Sequence, residues 1–311
     1  MHSSISNSKT NERLGTRDAI IALLTSCAVV LLVLGGLTEW LIREHVLPQD
    51  TRAAHLRLLN EADASSAAFG DSRAARGFNA TDGFINLAFP SENILDISAK
   101  VKNYFRERDP KWVILQADPH MFAPYRVHAA RNIQKSPEPF LLFSERHRAR
   151  ILSYWEAYIR AGGHLVSKVQ MTDSGSLLSE GDLSQVPPRK RILEARVRSG
   201  WHQIEETEAV ARAREDYAAM LDWLVARDVG LCLVSFPVSD DYARAVRAAG
   251  HEIQIAFFKH EATRVAVRYV DARDAIGERS FFRDVDHLNQ LGAIEFSPRL
   301  LEKCFGAGEQ N

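Results

Sequence analysis

The sequence has little cysteine, no surplus of either charge and only one long apolar run. Three cysteines in 311 residues exclude a small domain that is held together by disulfide bonds. The 39 basic and 40 acidic side chains leave a net charge of −1, so the basic surplus typical of nucleic-acid-binding proteins is missing. A single apolar run excludes a multispanning membrane protein, and 46% hydrophobic residues exclude a disordered chain.

The one long apolar run covers residues 19–37 and carries no charged side chain. A helix of about 20 residues crosses the hydrocarbon core of a bilayer, so this run is long enough. Lys9, Arg13 and Arg17 precede it, which favours a cytoplasmic N-terminus and an exported C-terminal domain. The predicted organisation is a cytoplasmic segment 1–18, a transmembrane signal anchor 19–42, a connector 43–64 and a globular domain 65–305.

Two other interpretations of the apolar run stay open. A cleaved signal peptide would have a shorter apolar core, and no small-residue cleavage site follows this run. Residues 24–27 resemble a lipoprotein cleavage box that ends at Cys27. The run continues well past Cys27, however, which lipidation does not require. A membrane-spanning helix remains the leading interpretation of the run.

Short apolar runs alternate with helical patterns throughout the globular part. Strands separated by helices predict a three-layer α/β fold with an open parallel sheet. Ligands bind beyond the carboxyl ends of the strands in such sheets. Cys232 falls inside one of the apolar runs, and we expect a buried thiol there. The predicted strands are 67–69, 84–87, 112–115, 231–236 and 265–270; helices are predicted behind Ser91, around 210–224 and from Gln290, and a polar loop is predicted at 172–190.

Two motifs that carry reactive side chains lie at opposite ends of this domain. Ser72 follows Gly70 and Asp71 in a tight turn after the first strand, which would direct its hydroxyl to the carboxyl edge of the sheet. Asp284 and His287 precede the last helix, and their spacing would let them face the same way in a turn of helix-like chain. A serine nucleophile needs a base of near-neutral pKa and a carboxylate that orients this base.

Each motif also has an ordinary structural explanation when it is taken alone. Turns are rich in tripeptides such as Gly-Asp-Ser, and His287 would serve as a capping or solvent-exposed histidine. The joint pattern is more specific, because in an open parallel sheet both places lie at the active edge.

The combination Gly70-Asp71-Ser72 and Asp284-x-x-His287 resembles the SGNH (GDSL-type) hydrolase superfamily over residues 65–302. Further similarities, at 86–88, 235–237 and 286–293, resemble its membrane-tethered members, such as alginate O-acetylation proteins and D-alanine transfer proteins of teichoic acid. The resemblance implies an SGNH/flavodoxin-like fold. It also implies that Ser72 is the nucleophile, His287 the base and Asp284 the residue that orients it, with Asp286 as the less favoured orienting residue.

The residues expected to stabilise the oxyanion depart from the family pattern. Where members have a glycine, this chain has Pro90-Ser91, and the amide of Ser91, or that of Glu92, is a substitute at a helix N-terminus. Where members have an asparagine after the third strand, this chain has Asp118, flanked by Gln116 and His120 as replacement donors; Arg73 is a further one. An ionised Asp118 would oppose the oxyanion, and loss of one donor typically costs about 3 kcal/mol.

The leading hypothesis is a single-pass bacterial inner-membrane protein with a periplasmic SGNH-like domain. It would be an enzyme that adds or removes an acyl group, acetyl above all, on an exported polysaccharide or other envelope polymer. No cofactor or metal is expected, and neither is a nucleic-acid partner, whereas a membrane-bound O-acyltransferase partner would deliver the acyl group. Two alternatives stay open, namely a catalytically weak or inactive scaffold subunit of an envelope polymer assembly, and a plain esterase of small esters or lipids.

Overall fold

The computed structural model describes residues 8–47, 50–81, 83–128, 140–162, 169–248 and 253–306. The chain divides into two compact units. Of the described residues, 8–47, 50 and 140–162 belong to the first, and 51–81, 83–128, 169–248 and 253–306 belong to the second. The boundaries proposed above for anchor, connector and domain stay predictions.

The described residues form twelve α-helices and nine strands. The helices are α1 Ser8–Leu41, α2 Thr51–Glu61, α3 Ser72–Gly77, α4 Ile94–Tyr104, α5 Pro124–Val127, α6 Glu145–Arg148, α7 Ile151–Arg160, α8 Pro188–Trp201, α9 Glu208–Val225, α10 Asp240–Ala248, α11 Ile253–Arg264 and α12 Gln290–Phe305. The strands are β1 Ser66–Phe69, β2 Phe84–Asn86, β3 Trp112–Gln116, β4 Val169–Met171, β5 Leu177–Ser179, β6 Gly230–Ser235, β7 Arg268–Asp271, β8 Phe282–Asp284 and β9 His287–Leu288.

The second unit is built on a five-stranded parallel sheet in the order β2-β1-β3-β6-β7. Counted along the chain, this order is 2-1-3-4-5, as in doubly wound flavodoxin-like folds. The predicted fold class is therefore confirmed. The strand predicted at 265–270 begins only at Arg268, because residues 265–267 complete the end of α11, where Ala266 takes a left-handed φ of 54°.

Two apolar layers cover the faces of the sheet. Alternate residues of a strand point to opposite faces, and β1 shows this directly. Ala67 and Phe69 pack in one layer, with α4, α9 and α11, while Ala68 packs in the other, with α3, α10 and α12. Burial on both sides explains why β3 and β6 are continuous apolar runs and do not alternate with polar residues.

A disulfide bond joins Cys232 on β6 to Cys304 on α12. The prediction of a buried thiol at Cys232 was therefore wrong. The cysteines are 72 residues apart in sequence, and the packing of α12 beside β6 brings their Cα atoms to 5.6 Å. Cys27, on α1, is exposed and unpaired.

The segment predicted as a loop at 172–190 is more ordered than its composition indicates. Strands β4 and β5 form an antiparallel hairpin, and Leu177 and Leu183 are buried in the core layer that contains Ala68. Helix α8 then begins at Pro188, whose fixed φ suits a first helical turn. The polar composition did not predict this hairpin, because only isolated side chains, with no periodic repeat, enter the core.

In the first unit, α1 includes a stretch that is long and apolar enough to cross a membrane. A π-helical turn, Ile42–Val46, continues the helix beyond Leu41. Residues 140–162, which contain α6 and α7, pack beside this end of α1.

Candidate active site

The turn after β1 presents Ser72 at the carboxyl edge of the sheet. Asp71 is the N-cap of α3, and its carboxylate accepts a hydrogen bond of 2.9 Å from the amide of Arg73. A Cβ atom on Gly70 would collide with the side chains of Gln116 and Ala74, so only glycine fits between the end of the strand and the first turn of the helix. The Gly-Asp-Ser tripeptide is therefore a strand-to-helix junction whose first helical residue is Ser72.

Asp284 and His287 lie on a tight antiparallel hairpin formed by β8 and β9. The two residues are register partners across the hairpin, so their side chains share a face. The expectation of a helix-like turn was wrong, although the side chains meet as that spacing suggested. The cause is the intervening turn, which brings the paired positions of the two strands together.

The serine, the histidine and the aspartate form one chain of hydrogen bonds. Ser72 Oγ lies 2.8 Å from His287 Nε2, and His287 Nδ1 lies 2.8 Å from Asp284 Oδ1. The structure thus brings together three residues that span 215 positions of sequence. A base positioned between a hydroxyl and a carboxylate is the arrangement that activates a serine.

A second carboxylate, that of Asp286, also lies beside the imidazole of His287. Asp286 lies 3.3 Å from His287 Nδ1 and is also contacted by Arg73 and Arg198. Burial by itself lowers the pKa of His287, but the negative charges of Asp286 and Asp284 outweigh it and raise that pKa to about 9. The resting imidazole therefore holds a proton at neutral pH.

Asp71 is the centre of a buried polar cluster directly behind the serine turn. Burial opposes its ionisation, but the charges of His120 and Arg126 prevail and hold the pKa of its carboxyl well below the usual range. In addition to the amide of Arg73, its carboxylate accepts hydrogen bonds from Gln116 Nε2 at 2.9 Å, His120 Nε2 at 2.7 Å and Arg126 Nη2 at 2.8 Å.

Arg73 connects this cluster to the histidine side of the site. Its two terminal nitrogens reach Asp118 at 3.2 Å and Asp286 at 3.3 Å, and its guanidinium lies over the ring of Tyr242. Burial raises the pKa of the Asp118 carboxyl, while the charge of Arg73 opposes this rise. One buried cation thus holds two carboxylates, that of Asp118 beside Gln116 and that of Asp286 beside His287.

Three of the four predicted oxyanion residues lie in this buried network. Gln116 accepts from the amide of Asp71 at 2.6 Å, and its two amide hydrogens go to Asp71 and Asp118. His120 is bound to Asp71 through Nε2, and its ring contacts that of His202 at a tilt, with centroids 4.8 Å apart. The replacement donor Arg73 is paired as well. These side chains support the turn that carries Ser72, and they form hydrogen bonds with one another and with Asp71.

Ser91, the fourth candidate, lies in a separate exposed turn. The amide of Phe89 donates to the carbonyl of Gly70 at 3.0 Å, which places this turn beside the serine turn. Ser91 has a left-handed φ of 70°, and among the described hydrogen bonds none uses its amide. The helix predicted behind Ser91 does not begin at Ser91, because Asn93 is the N-cap of α4 and forms a capping box with Asp96.

Several residues of the site carried little signal in the sequence. Arg126 reaches Asp71 across 55 residues, and no local pattern marks such a pair. Asn86, which lies in the family-like stretch 86–88, donates its side-chain amide to the carbonyls of Ala74 and Phe78 and so connects β2 to α3. A buried asparagine that ends a strand is a signal that could have indicated this support.

A cavity of about 90 Å³ opens beside Arg73. His202 and Tyr242 line it, as do Val246 and Arg273. It lies beyond the carboxyl ends of β3, β6 and β7, where doubly wound folds bind their ligands. This cavity is the candidate place for the part of a substrate that does not react.

One group of side chains in the described residues is compact enough to share a metal ion, namely Asp284, Asp286 and His287. Their ligand atoms lie within 4.8 Å of one another. The same atoms already form the hydrogen bonds of the serine–histidine–aspartate chain. The expectation that no metal or cofactor takes part stays a prediction.

No protein-family model and no curated protein matches the chain. Solved structures that are similar to it include a candidate acylhydrolase from Bacteroides fragilis, with 11% identity, a TM-score of 0.38 and coverage of 76% of this chain and 84% of the other. They also include a lipase/acylhydrolase from Enterococcus faecalis, with 11% identity, a TM-score of 0.39 and coverage of 76% and 93%. The order of the strands in the parallel sheet is the flavodoxin-like order that the SGNH resemblance implies.

Proposed function

We propose that this chain is a membrane-anchored, SGNH-type protein that transfers or hydrolyses acyl esters through Ser72. The hydrogen-bonded chain from Ser72 through His287 to Asp284 carries this proposal. No other arrangement of a hydroxyl, a base and a carboxylate in the described residues combines these contacts with a place at the carboxyl edge of the sheet. Asp286 is a second carboxylate that adjusts the pKa of His287.

The reaction would proceed in two balanced halves. Ser72 Oγ attacks the ester carbonyl while its proton moves to His287 Nε2; collapse of the tetrahedral intermediate passes that proton to the departing alkoxide, which leaves as an alcohol. In the second half, His287 removes a proton from water or from a sugar hydroxyl. The resulting oxygen nucleophile attacks the acyl carbon, and the bond from Ser72 Oγ to that carbon breaks. The acyl group leaves as an acid or as an ester of the sugar, and His287 returns the proton to Ser72 Oγ. No cofactor is needed for these steps.

The oxyanion would be held by backbone amides. The amide of Ser72 begins a helix, where N–H groups are free to face an anion. The amide of Ser91, in the adjoining turn, is the second donor in this proposal. Backbone donors would leave Gln116, Asp118 and His120 to their supporting contacts.

Compartment and substrate are parts of the same proposal. The basic residues ahead of the apolar run 19–37 favour an exported second unit, and the Cys232–Cys304 disulfide suits an oxidising compartment such as the periplasm. We propose a single-pass inner-membrane protein whose substrate is an exported polysaccharide, modified by O-acetylation or deacetylation. A membrane-bound O-acyltransferase would supply the acyl group, because acetyl-CoA is not available outside the cytoplasm.

A second candidate function is an inactive or weakly active scaffold of an envelope polymer assembly. The observation that favours it is the pairing of Asp118 with Arg73 in the position where the family pattern has an oxyanion donor. A scaffold would keep the buried cluster for stability and would not require a competent nucleophile.

Covalent labelling distinguishes the two candidates. The full chain in detergent micelles would be exposed to a fluorophosphonate, and its intact mass measured beside Ser72→Ala, His287→Ala and the exposed-serine control Ser153→Ala. A single adduct that survives in Ser153→Ala and disappears in the other two supports the enzyme. A folded wild-type chain without an adduct supports the scaffold, and turnover of a soluble ester without a partner would indicate a plain esterase.

A further inference from the structure

The short segment that follows Phe140 is held against the end of α1. The carboxylate of Glu39 accepts hydrogen bonds from the amides of Leu141 at 3.2 Å and Leu142 at 3.0 Å. The side chain of Leu142 also lies 3.9 Å from the place that a Cβ atom would take on Gly35. The segment is therefore fixed at the level where the apolar run of α1 ends.

Helix α7 contacts α1 at the same level through aromatic side chains. Trp155 donates its indole N–H to the hydroxyl of Thr38 at 3.2 Å. Tyr158 packs edge to face on Trp40, with ring centroids 6.3 Å apart, and on His45, with centroids 4.7 Å apart. Rings with one polar end are enriched where membrane proteins pass through the headgroup region, so this cluster has the composition of a membrane-interface site.

The apolar side of α7 is wider than the part that α1 covers. At 100° per residue, Ile151, Tyr154, Trp155 and Tyr158 fall on one face, and all are partly buried. Leu152 and Ile159 fall beside this face and are 85% and 71% exposed. The opposite side is polar and consists of Ser153, Glu156 and Arg160, with an ion pair between the last two.

Two phenylalanines extend the uncovered apolar surface. Phe140 is 61% exposed and Phe143 is 71% exposed, on either side of the two leucines that Glu39 holds. Leu34, Leu37 and Trp40, at the end of α1 that this segment contacts, are exposed as well. An apolar surface that is continuous with a membrane-spanning helix is best covered by the lipid that surrounds that helix.

We propose that residues 140–162 form a membrane-interface element. Phe140, Phe143, Leu152 and Ile159 enter the boundary between headgroups and acyl chains, and Ser153, Glu156 and Arg160 face water. The inference extends the proposed function, since it depends on α1 crossing the membrane. Its consequence is that α1 cannot rotate or slide freely in the bilayer, because a second amphipathic element fixes its depth.

Quenching by lipid tests this placement residue by residue. The full chain would carry Cys27→Ser, so that the disulfide is retained and one new cysteine can be labelled with an environment-sensitive fluorophore. The single positions are Leu152→Cys and Ile159→Cys on the apolar side, and Ser153→Cys and Glu156→Cys as matched controls on the polar side. Leu31→Cys, within α1, reports whether the anchor itself is inserted. Each protein would be reconstituted in phosphatidylcholine vesicles with and without spin-labelled lipid.

We expect labels at 152, 159 and 31 to shift to shorter wavelength and to lose about half of their emission with spin-labelled lipid. Labels at 153 and 156 should keep their emission and be quenched by aqueous iodide. Equal lipid quenching on both sides of α7, or none at 152 and 159 while 31 is quenched, would overturn the inference alone. Protection of 152 and 159 from both quenchers would also overturn it and would indicate a protein partner or a second copy of this chain. Absence of quenching at 31 would instead remove the membrane anchor from the proposed function.

Discussion

The carboxylate of Asp286 lies 3.3 Å from Nδ1 of His287, beside the contact that Asp284 already makes with the same nitrogen. The charge of a second acid at this place holds a proton on the imidazole. A histidine must be neutral to accept the proton of a serine, so this relationship sets the pH range of any reaction at Ser72.

We therefore expect the rate of fluorophosphonate labelling to rise with pH up to a midpoint near 9, the pKa of His287. Below this midpoint the neutral fraction, and with it the rate, should fall about tenfold per pH unit. In Asp286→Asn one negative charge is lost, and the midpoint should move down by about one unit or more. The measurement is the second-order labelling rate between acidic and alkaline pH. Exposed Glu302→Gln is the control, and an unchanged midpoint in Asp286→Asn would contradict the role given to Asp286.

A second prediction concerns the stability of the cluster behind the serine. Asp71→Ala leaves Arg126 and His120 without their buried acceptor and should lower the free energy of unfolding by about 3–5 kcal/mol. Denaturant unfolding of the full chain in micelles measures this, beside the exposed variant Glu215→Gln, which should stay close to wild type. A loss no larger than that of the control would show that the cluster is not a support.

The pH dependence of stability follows from the same residue. The pKa of Asp71 lies below that of an unfolded aspartate, so its stabilising contribution is fully present above about pH 4 and is lost as the pH falls through the folded pKa. Wild-type protein should therefore lose stability in acid more steeply than Asp71→Asn. Parallel acid-unfolding curves for the two proteins would contradict this.

A third prediction uses the backbone of Ser91. A left-handed conformation costs a residue with a side chain about 1–2 kcal/mol, and glycine avoids this cost. Ser91→Gly should therefore raise stability by about 1 kcal/mol and retain labelling at Ser72, because its amide remains. Asp228→Gly, at another left-handed position, should give a similar gain in stability. Ser91→Pro removes the amide, and undiminished labelling in that folded variant would exclude the Ser91 amide as a donor.

The disulfide is the subject of a fourth prediction. Cys232 and Cys304 enclose a long loop, and removal of such a bond typically costs about 2–4 kcal/mol. Reductant should lower the unfolding midpoint of wild type and of Cys27→Ser, but not that of a Cys232→Ala, Cys304→Ala double variant. Alkylation without reductant should modify Cys27 only, as seen by intact mass. A wild-type midpoint that reductant leaves unchanged would contradict a stabilising bond.

Local patterns were enough for most of the fold. A strand covered on both faces needs a continuous apolar run, and the runs that became β1, β3 and β6 could be recognised for that reason. Helix α9 could be recognised because its buried residues repeat at helical spacing. The hairpin of β4 and β5 escaped recognition, since its strands have three residues each and only single side chains reach the core.

The approach of Ser72 to His287 and Asp284 followed from sequence for a topological reason. In a parallel sheet, the chain leaves every strand at the same edge, so a turn after the first strand and a turn before the last helix are neighbours. The order of the elements decided this much, without knowledge of any side-chain contact.

Only the tertiary structure decided the contacts of the residues around Ser72, His287 and Asp284. Gln116, Asp118 and His120 were expected to face a substrate, and they instead bind Asp71 and Arg73 across some 45 residues of sequence. The structure also shows that Cys232 is bonded to Cys304, and that Asp286 as well as Asp284 lies beside His287. Periodicity records which face of an element is buried, whereas the partner of a buried charge or thiol depends on how distant elements pack. The sequence alone therefore determined the sheet and the edge at which Ser72, Asp284 and His287 meet, and packing alone determined the charges that surround the serine.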